Sequence, residues 1–461
     1  MVQFDDLAAQ LRTPAGVSLR RALVDLGAFG RTREAWEALA STLGMDGTAA
    51  SDRLLGGRVL MLGDGLSGDS PRWACVMSVD RETAKDAPRR LGAAPRATLD
   101  GRTVFAIEDG RFRVAVGDFR QGHTTIAIAP GGSEALLRAA IGLGERWGGQ
   151  GARGSGSGGG GGVIAVLVYR PAPDAWLSGT VEPSPQGWRL RFSGTDRLGG
   201  PGALDGVAGI PEARFESATR GAVFAVAGPG SFDRARDQVT MNWRSPERLI
   251  WSMLPFDPPT GEFASSSDYG VVAVRGVGQG RLDCSVAMRI AKTGLNPLGD
   301  EYACGIAETF AGGRARGVRG CRDDRTIGRR ARTVMVQEGA RRSAYGEHLA
   351  FAWGASGPGP MGESWWSLDI SGQGAARDLA GELARRGEAP GATRAMTGVI
   401  HPAEMLSMLG GGNPETGPPL EGAGGASALR WIERVRWHVD PSRAAGASWE
   451  GEIEVRMTPA P

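Results

Sequence analysis

Histidine is scarce in this chain: His123, His348, His401 and His438 are the only four. His401 stands three residues before Glu404, and an imidazole close to a carboxylate is a minimal pair for general-base hydrolysis. A zinc-protease helix needs two histidines four apart around a glutamate, and no second histidine lies near His401. No metal site is expected there. The plainer reading makes His401 a helix-entry residue ahead of Pro402, whose fixed φ suits a first helical turn. His438 alternates with Trp437 and Val439, which puts it on the outward side of a strand. Ser133, in Gly131-Gly132-Ser133-Glu134-Ala135, resembles a nucleophile elbow but lacks the closing glycine, and that elbow belongs to a parallel sheet. A helix N-cap explains Ser133 better.

The strongest local anomaly is charge. Arg314, Arg316, Arg319, Arg322, Arg325, Arg329, Arg330 and Arg332 face only Asp323 and Asp324 within one segment, and guanidinium forks clasp phosphate, sulfate or carboxylate in a bidentate manner. This is the candidate polyanion site. Aromatic residues for base stacking are not interleaved with the arginines, so sequence-specific nucleic acid is not an expected partner. A solvated loop, or one salt-bridged to a neighbouring acidic face, is the competing reading. No P-loop is possible, since Lys85 and Lys292 are the only lysines and neither sits in such a motif. No cofactor is expected.

Four cysteines divide into two kinds. Cys75, flanked at period two by Trp73, Met77 and Val79, and Cys284, among Leu282, Val286, Met288 and Ile290, read as small hydrophobes in strands. Cys304 and Cys321 lie in less periodic surroundings and can close one disulfide if the compartment is oxidising. Thirteen tryptophans suggest a carbohydrate platform, especially at Trp365-Trp366, but most occupy alternating apolar faces and read as core. Adjacent strand residues point to opposite faces, so one of that pair is expected in the core and the other outside.

These residues must be positioned by a chain of 461 residues, long enough for two or three domains. Its 53 basic and 51 acidic side chains nearly cancel, so electrostatic attraction to nucleic acid or membrane is local at most. The longest apolar run, 163–169, is far short of a membrane helix. The first residues show no signal peptide as written; a start placed too far downstream would look the same and would be compatible with an extracytoplasmic protein.

The Gly-rich run 148–162 reads as a linker and sets a boundary between an N-terminal α+β domain, 1–147, and a central α+β region, 163–312; a C-terminal region, 313–461, can join the central one. Leu19, Leu23 and Leu26 mark one helix, and Thr32 to Leu43 a second. Strands are expected at 58–62 and 73–79, with Asp80 capping a helix that runs through Leu91. Asp109-Gly110 favours the positive φ values of a hairpin turn between strands at 103–107 and 112–116. Trp188, Leu190 and Phe192 alternate with Arg189, Arg191 and Ser193, and Trp449 to Met457 alternates likewise. Strands wetted on one side imply curved antiparallel sheets with helices packed on one face. Three segments of strand, Gly or Pro turn and helix, beginning at Thr125, Ala222 and Met396, suggest a weak internal repeat.

The segments Arg72 to Val76, Leu99 to Gly110, Thr397 to Glu404 and Leu429 to Val435 together resemble an uncharacterised bacterial domain-of-unknown-function family. That resemblance covers most of the chain, rests on patterns rather than invariant motifs, and implies a secreted or lipid-anchored protein of two α+β halves. The family's usual signal peptide and Leu-Pro-x-Asp first strand have no counterpart here. It supplies no catalytic residues. The function expected is therefore non-enzymatic binding or scaffolding, with an apolar ligand held on a concave sheet. Polyanion binding through 314–332 and hydrolysis by His401 and Glu404 are the alternatives.

Overall fold

The computed structural model describes residues 2–25, 30–64, 72–118, 124–147, 165–172, 175–184, 186–195, 209–228, 254, 256, 262–263, 267–278, 280–290, 296–312, 325–326, 329–337, 340–356, 364–372, 377–385, 392–409, 429–441 and 449–458. The chain forms two compact units. Unit 1 comprises Met1–Arg197, Glu421–Glu433 and Glu452–Pro461, and unit 2 comprises Leu198–Leu420 and Arg434–Gly451. A boundary at 148–162 is thus not observed, and those residues lie outside the described ones. The strand that follows them hydrogen-bonds to the first strand of the chain, which keeps it in unit 1.

Unit 1 contains β1 (Val2–Asp5), α1 (Leu7–Arg12), α2 (Pro14–Asp25), α3 (Gly30–Thr42), α4 (Gly47–Leu55), β2 (Arg58–Asp64), β3 (Arg72–Val79) and α5 (Arg81–Arg90). It continues with β4 (Arg96–Leu99), β5 (Arg102–Ile107), β6 (Phe112–Asp118), β7 (Thr124–Pro130), α6 (Glu134–Trp147), β8 (Ala165–Ala172), β9 (Ala175–Ser184) and β10 (Gly187–Thr195). The strands lie in the order β4-β5-β6-β7-β3-β2-β1-β8-β9-β10, every neighbour antiparallel. Local signals account for much of this. Asp80 caps α5 through the amide of Thr83 at 2.7 Å, and Glu108, Asp109 and Gly110 all take positive φ in the β5–β6 hairpin.

Unit 2 contains β11 (Ile210–Pro211), α7 (Glu212–Ala218), β12 (Phe224–Gly228), β13 (Ser267–Gly278), β14 (Arg281–Ile290), α8 (Asn296–Phe310), β15 (Arg325–Thr326), β16 (Arg329–Met335) and α9 (Ala340–Tyr345). Then come β17 (His348–Ala355), β18 (Ser364–Ser371), α10 (Leu379–Ala384), β19 (Thr393–Arg394), β20 (Met396–Ile400), α11 (Pro402–Leu409), β21 (Ile432–Pro441) and β22 (Trp449–Met457), the last two divided between the units. The order is β15-β16-β17-β18-β14-β13-β12-β20-β21, again antiparallel throughout. Strand for strand this is the order of unit 1 from β4 to β9. The helices follow suit, with α5 and α8 after the third strand of each order in sequence, and α6 and α10 after the seventh. The three segments that suggested a repeat hold non-corresponding places: β7 matches β18, β12 matches β1 and β20 matches β8.

The architecture is α+β with large open antiparallel sheets, and one expectation needs correction. Helices cover both faces of the central strands, not one. Trp73, Cys75, Met77 and Val79 of β3 pack with Leu39, Leu43, Leu54, Ala84 and Leu91 of the α3–α5 side, while Ala74 and Val76 meet Leu137, Ala140 and Ile141 of α6. Unit 2 repeats the arrangement: Cys284, Val286 and Met288 join Ala303, Ala307 and Phe310 of α8, whereas Ala273 and Ala287 lie beneath Leu379, Ala380 and Leu383 of α10. The second face is lined mainly by alanine, which admits a helix closely; in sequence those small residues read as a wet side. For the same reason Trp365 and Trp366 are both buried, on opposite faces. One-sided wetting does hold in β10, where Arg189 and Arg191 pair with Glu452 on the face opposite Leu190.

Candidate functional site

His401 and Glu404 are neighbours on one turn, at the entry and in the first turn of α11. The His401 amide donates to the carbonyl of Val223 at 2.7 Å, Pro402 opens α11, and Glu404 points to solvent in its first turn. Among the described residues no hydrogen bond or ion pair joins the two side chains. The candidate disulfide is half visible: Cys304 is buried on α8 and is not a free thiol, but Cys321 lies outside the described residues. Cys75 and Cys284 are free and buried, and burial pushes the Cys75 thiol up to about 12.

The arginine-rich segment divides similarly. Arg314, Arg316, Arg319 and Arg322 lie outside the described residues, and Arg325 is described only as backbone paired with Arg330. The remaining three are bound internally. Arg330 meets Asp300 at 2.8 Å and Arg332 meets Glu308, both on α8, while Arg329 points to the opposite face of β16. Burial holds the Asp300 carboxyl above its ordinary range against the pull of Arg330.

Arg329 leads to a cluster that the sequence did not single out. One of its terminal nitrogens lies 2.7 Å from Asp369 Oδ2 and 2.8 Å from Ser367 Oγ, and the other lies 3.2 Å from Asp378 Oδ1. Ser367 donates to Asp369 Oδ2 at 2.7 Å, and Ser285 also bonds the Asp369 carboxyl. Arg275 donates to Ser285 Oγ at 3.1 Å and to the carbonyl of Ala218 at 3.2 Å. The amides of Leu379 and Ala380, opening α10, donate to Asp369 Oδ1 and Ser367 Oγ at 3.3 and 3.2 Å. Asp369 is only 1% exposed. Burial raises its carboxyl above the usual aspartate range, against the opposing pull of Arg329, Ser285 and Ser367. Burial, aided by the charge of Arg377, draws Arg275 down from the usual arginine range.

Unit 1 shows what this position needs for folding. In each unit a buried cysteine of the third strand stands opposite isoleucine: Cys75 opposite Ile128, and Cys284 opposite Ile370. One step along, Val76 faces Ala127 in unit 1, whereas Ser285 faces Asp369 in unit 2. Two steps further, Ser78 faces Thr125 and Ala287 faces Ser367. The same place in the same strand order is thus packed by valine and alanine in one unit and by a buried carboxylate network in the other. Well-packed apolar groups generally stabilise at least as much as a buried ion pair, so the fold alone does not call for the charges. In the sequence Ser364 to Ser371, the alternation of Ser367, Asp369 and Ser371 with Leu368 and Ile370 reads as an ordinary wet face; nothing local announces its burial. No protein-family model, curated protein or solved structure matches the chain.

Proposed function

We propose that the chain is a non-enzymatic binding or scaffolding protein built as an internal repeat of two like-ordered units. The observation that carries this reading is the shared strand order, with the central strands of each unit buried on both faces. Shifted titratable groups support it too: Asp369 and Arg275 are engaged with backbone and with each other's partners rather than open to a reacting atom. Two like units are also what the resemblance to two-half proteins implies. The hydrolase reading rests on the sequence spacing of His401 and Glu404 alone.

Because helices occupy both faces of the central strands, an apolar ligand belongs on the half-buried apolar side of β9 and β10, where Trp188, Leu190 and Phe192 stand beside Val181 and Gly179. Wild-type protein should take up a fluorescent fatty acid saturably, and Leu190→Glu should weaken that uptake about tenfold or more, a loss of roughly 1.4 kcal/mol. Absence of saturable uptake by the wild type removes the apolar-ligand version.

A comparison of connection lengths favours a second reading. Residues 91–95 join α5 to β4 in unit 1, but residues 311–324 make the corresponding join from α8 to β15 in unit 2. The additional length carries Arg314, Arg316, Arg319 and Arg322, so those arginines exceed what the connection requires, and polyanion binding is their proposed role. A Cys304–Cys321 bridge would tie them to α8. Replacing the four by serine should abolish salt-sensitive heparin retention; unchanged retention would reject this role.

A further inference from the structure

We propose that the thioether of Met335 and the imidazole of His348 form a soft-metal site for Cu(I) at the end of the β16–β17 pairing. The two residues are thirteen apart in sequence but stand directly opposite each other in the ladder. The next pair along, Val336 and Glu347, is joined by a hydrogen bond from the Val336 amide to the Glu347 carbonyl at 2.8 Å. Hydrogen-bonded and non-hydrogen-bonded pairs alternate in an antiparallel ladder, so Met335 and His348 form a non-hydrogen-bonded pair. In such a pair the Cα atoms approach to about 4.5 Å and the side chains lie closest. Both side chains are exposed on one face, while Val334 and Leu349 beside them point into the core on the other.

The shared fold does not require this pair. Cys75 opposite Ile128 and Cys284 opposite Ile370 set the register between the units, and counting outward matches Val114 to Phe351 and Phe105 to Arg332. Three residues further, unit 1 has already turned back, with the Arg111 amide bonded to the Glu108 carbonyl at 3.0 Å; unit 2 instead continues both strands to Met335 and His348. Met335 is 68% exposed, the one large apolar side chain so exposed among the described residues, and core packing gives no reason for it there. Its sulfur does. A thioether is a soft donor that selects Cu(I), imidazole also ligates copper, and two donors suffice for Cu(I). The unbranched methionine side chain has the freedom to bring its sulfur to the ion opposite the ring nitrogen. Harder ions find less here. Glu347, the carboxylate next to His348, is paired with Arg342, and among the described residues no group of three or more His, Cys, Asp and Glu side chains can hold a metal.

The test titrates the full chain, labelled at its methionine methyl groups, with Cu(I) under nitrogen at neutral pH in the presence of a competing Cu(I) chelator. Cu(I) is diamagnetic, so NMR signals stay sharp as they move. The Met335 methyl signal, identified by its loss in Met335→Leu, and the His348 ring signals should shift together along one saturating curve. Met335→Leu should weaken the response of His348 about tenfold or more, and His348→Phe should do the same to Met335. Each variant is thus read at the ligand that remains, which separates this site from any thiol that takes copper. Both positions are exposed, so the variants should keep the wild-type urea midpoint. An unmoved Met335 methyl, different curves for the two residues, a His348 response unchanged by Met335→Leu, or an equal response to Zn(II) overturns the site.

Discussion

Asp80 and Asp369 are both aspartates beside serine or threonine hydroxyls, yet their surroundings drive them in opposite directions. Burial opposes ionisation of Asp80, but the amide and hydroxyl of Thr83 and the charge of Arg53 outweigh it, and its carboxyl falls below the ordinary range. Its stabilisation is therefore present at neutral pH and lost as pH falls through the lowered value. Asp80→Ala should cost about 1 kcal/mol at pH 7, and urea unfolding should show that deficit shrinking in acid. The cap is legible in the sequence because it involves residues three apart. Asp369 is not legible, since the groups that bury and satisfy it come from β13, β14, β16 and α10, far apart along the chain. Arg329→Ala, which strands that carboxyl, should cost about 3–5 kcal/mol in the same measurement, far more than removal of an exposed arginine.

At the scale of elements, the large side chains of one sheet face and the alanines of the other decide which helix fits where. Gly299 of α8 shows how close the fit is: a Cβ there would lie 2.7 Å from the Trp366 indole. Gly299→Val should therefore destabilise by about 1–3 kcal/mol through overpacking, read as a lower urea midpoint with unchanged slope. The sequence shows β3, β10, the β5–β6 hairpin and the Pro402 helix start, because alternation, turn chemistry and fixed φ are local properties. It does not show that Ala74, Ala127, Ala273 and Ala287 lie beneath helices. Alanine carries too little apolar surface to separate a wet face from a tightly packed one, so the one-sided sheet expected from alternation became a two-sided one.

For the molecule as a whole, the repeated strand order emerges when pairings between distant strands are compared; in the sequence the matching places Arg72 to Cys75 and Arg281 to Cys284 share only an arginine and a cysteine three apart. The Gly-rich run 148–162 looked like a boundary by composition, yet β8 after it pairs with β1. Cysteine chemistry offers an independent check on unit 2: unfolded without reductant, the chain should show two reactive thiols, Cys75 and Cys284, and four after reduction; four without reductant would exclude the proposed Cys304–Cys321 bridge. The most direct test of the account is a pair of substitutions on adjacent residues of β7, Ala127→Lys and Ile128→Lys, which point to opposite faces of the unit 1 sheet. With helices on both sides, each should lower the unfolding free energy by about 3 kcal/mol or more, because each places an ammonium in a dry core. If either change leaves stability within about 0.5 kcal/mol of the wild type, that face is open to water and the two-sided architecture is wrong.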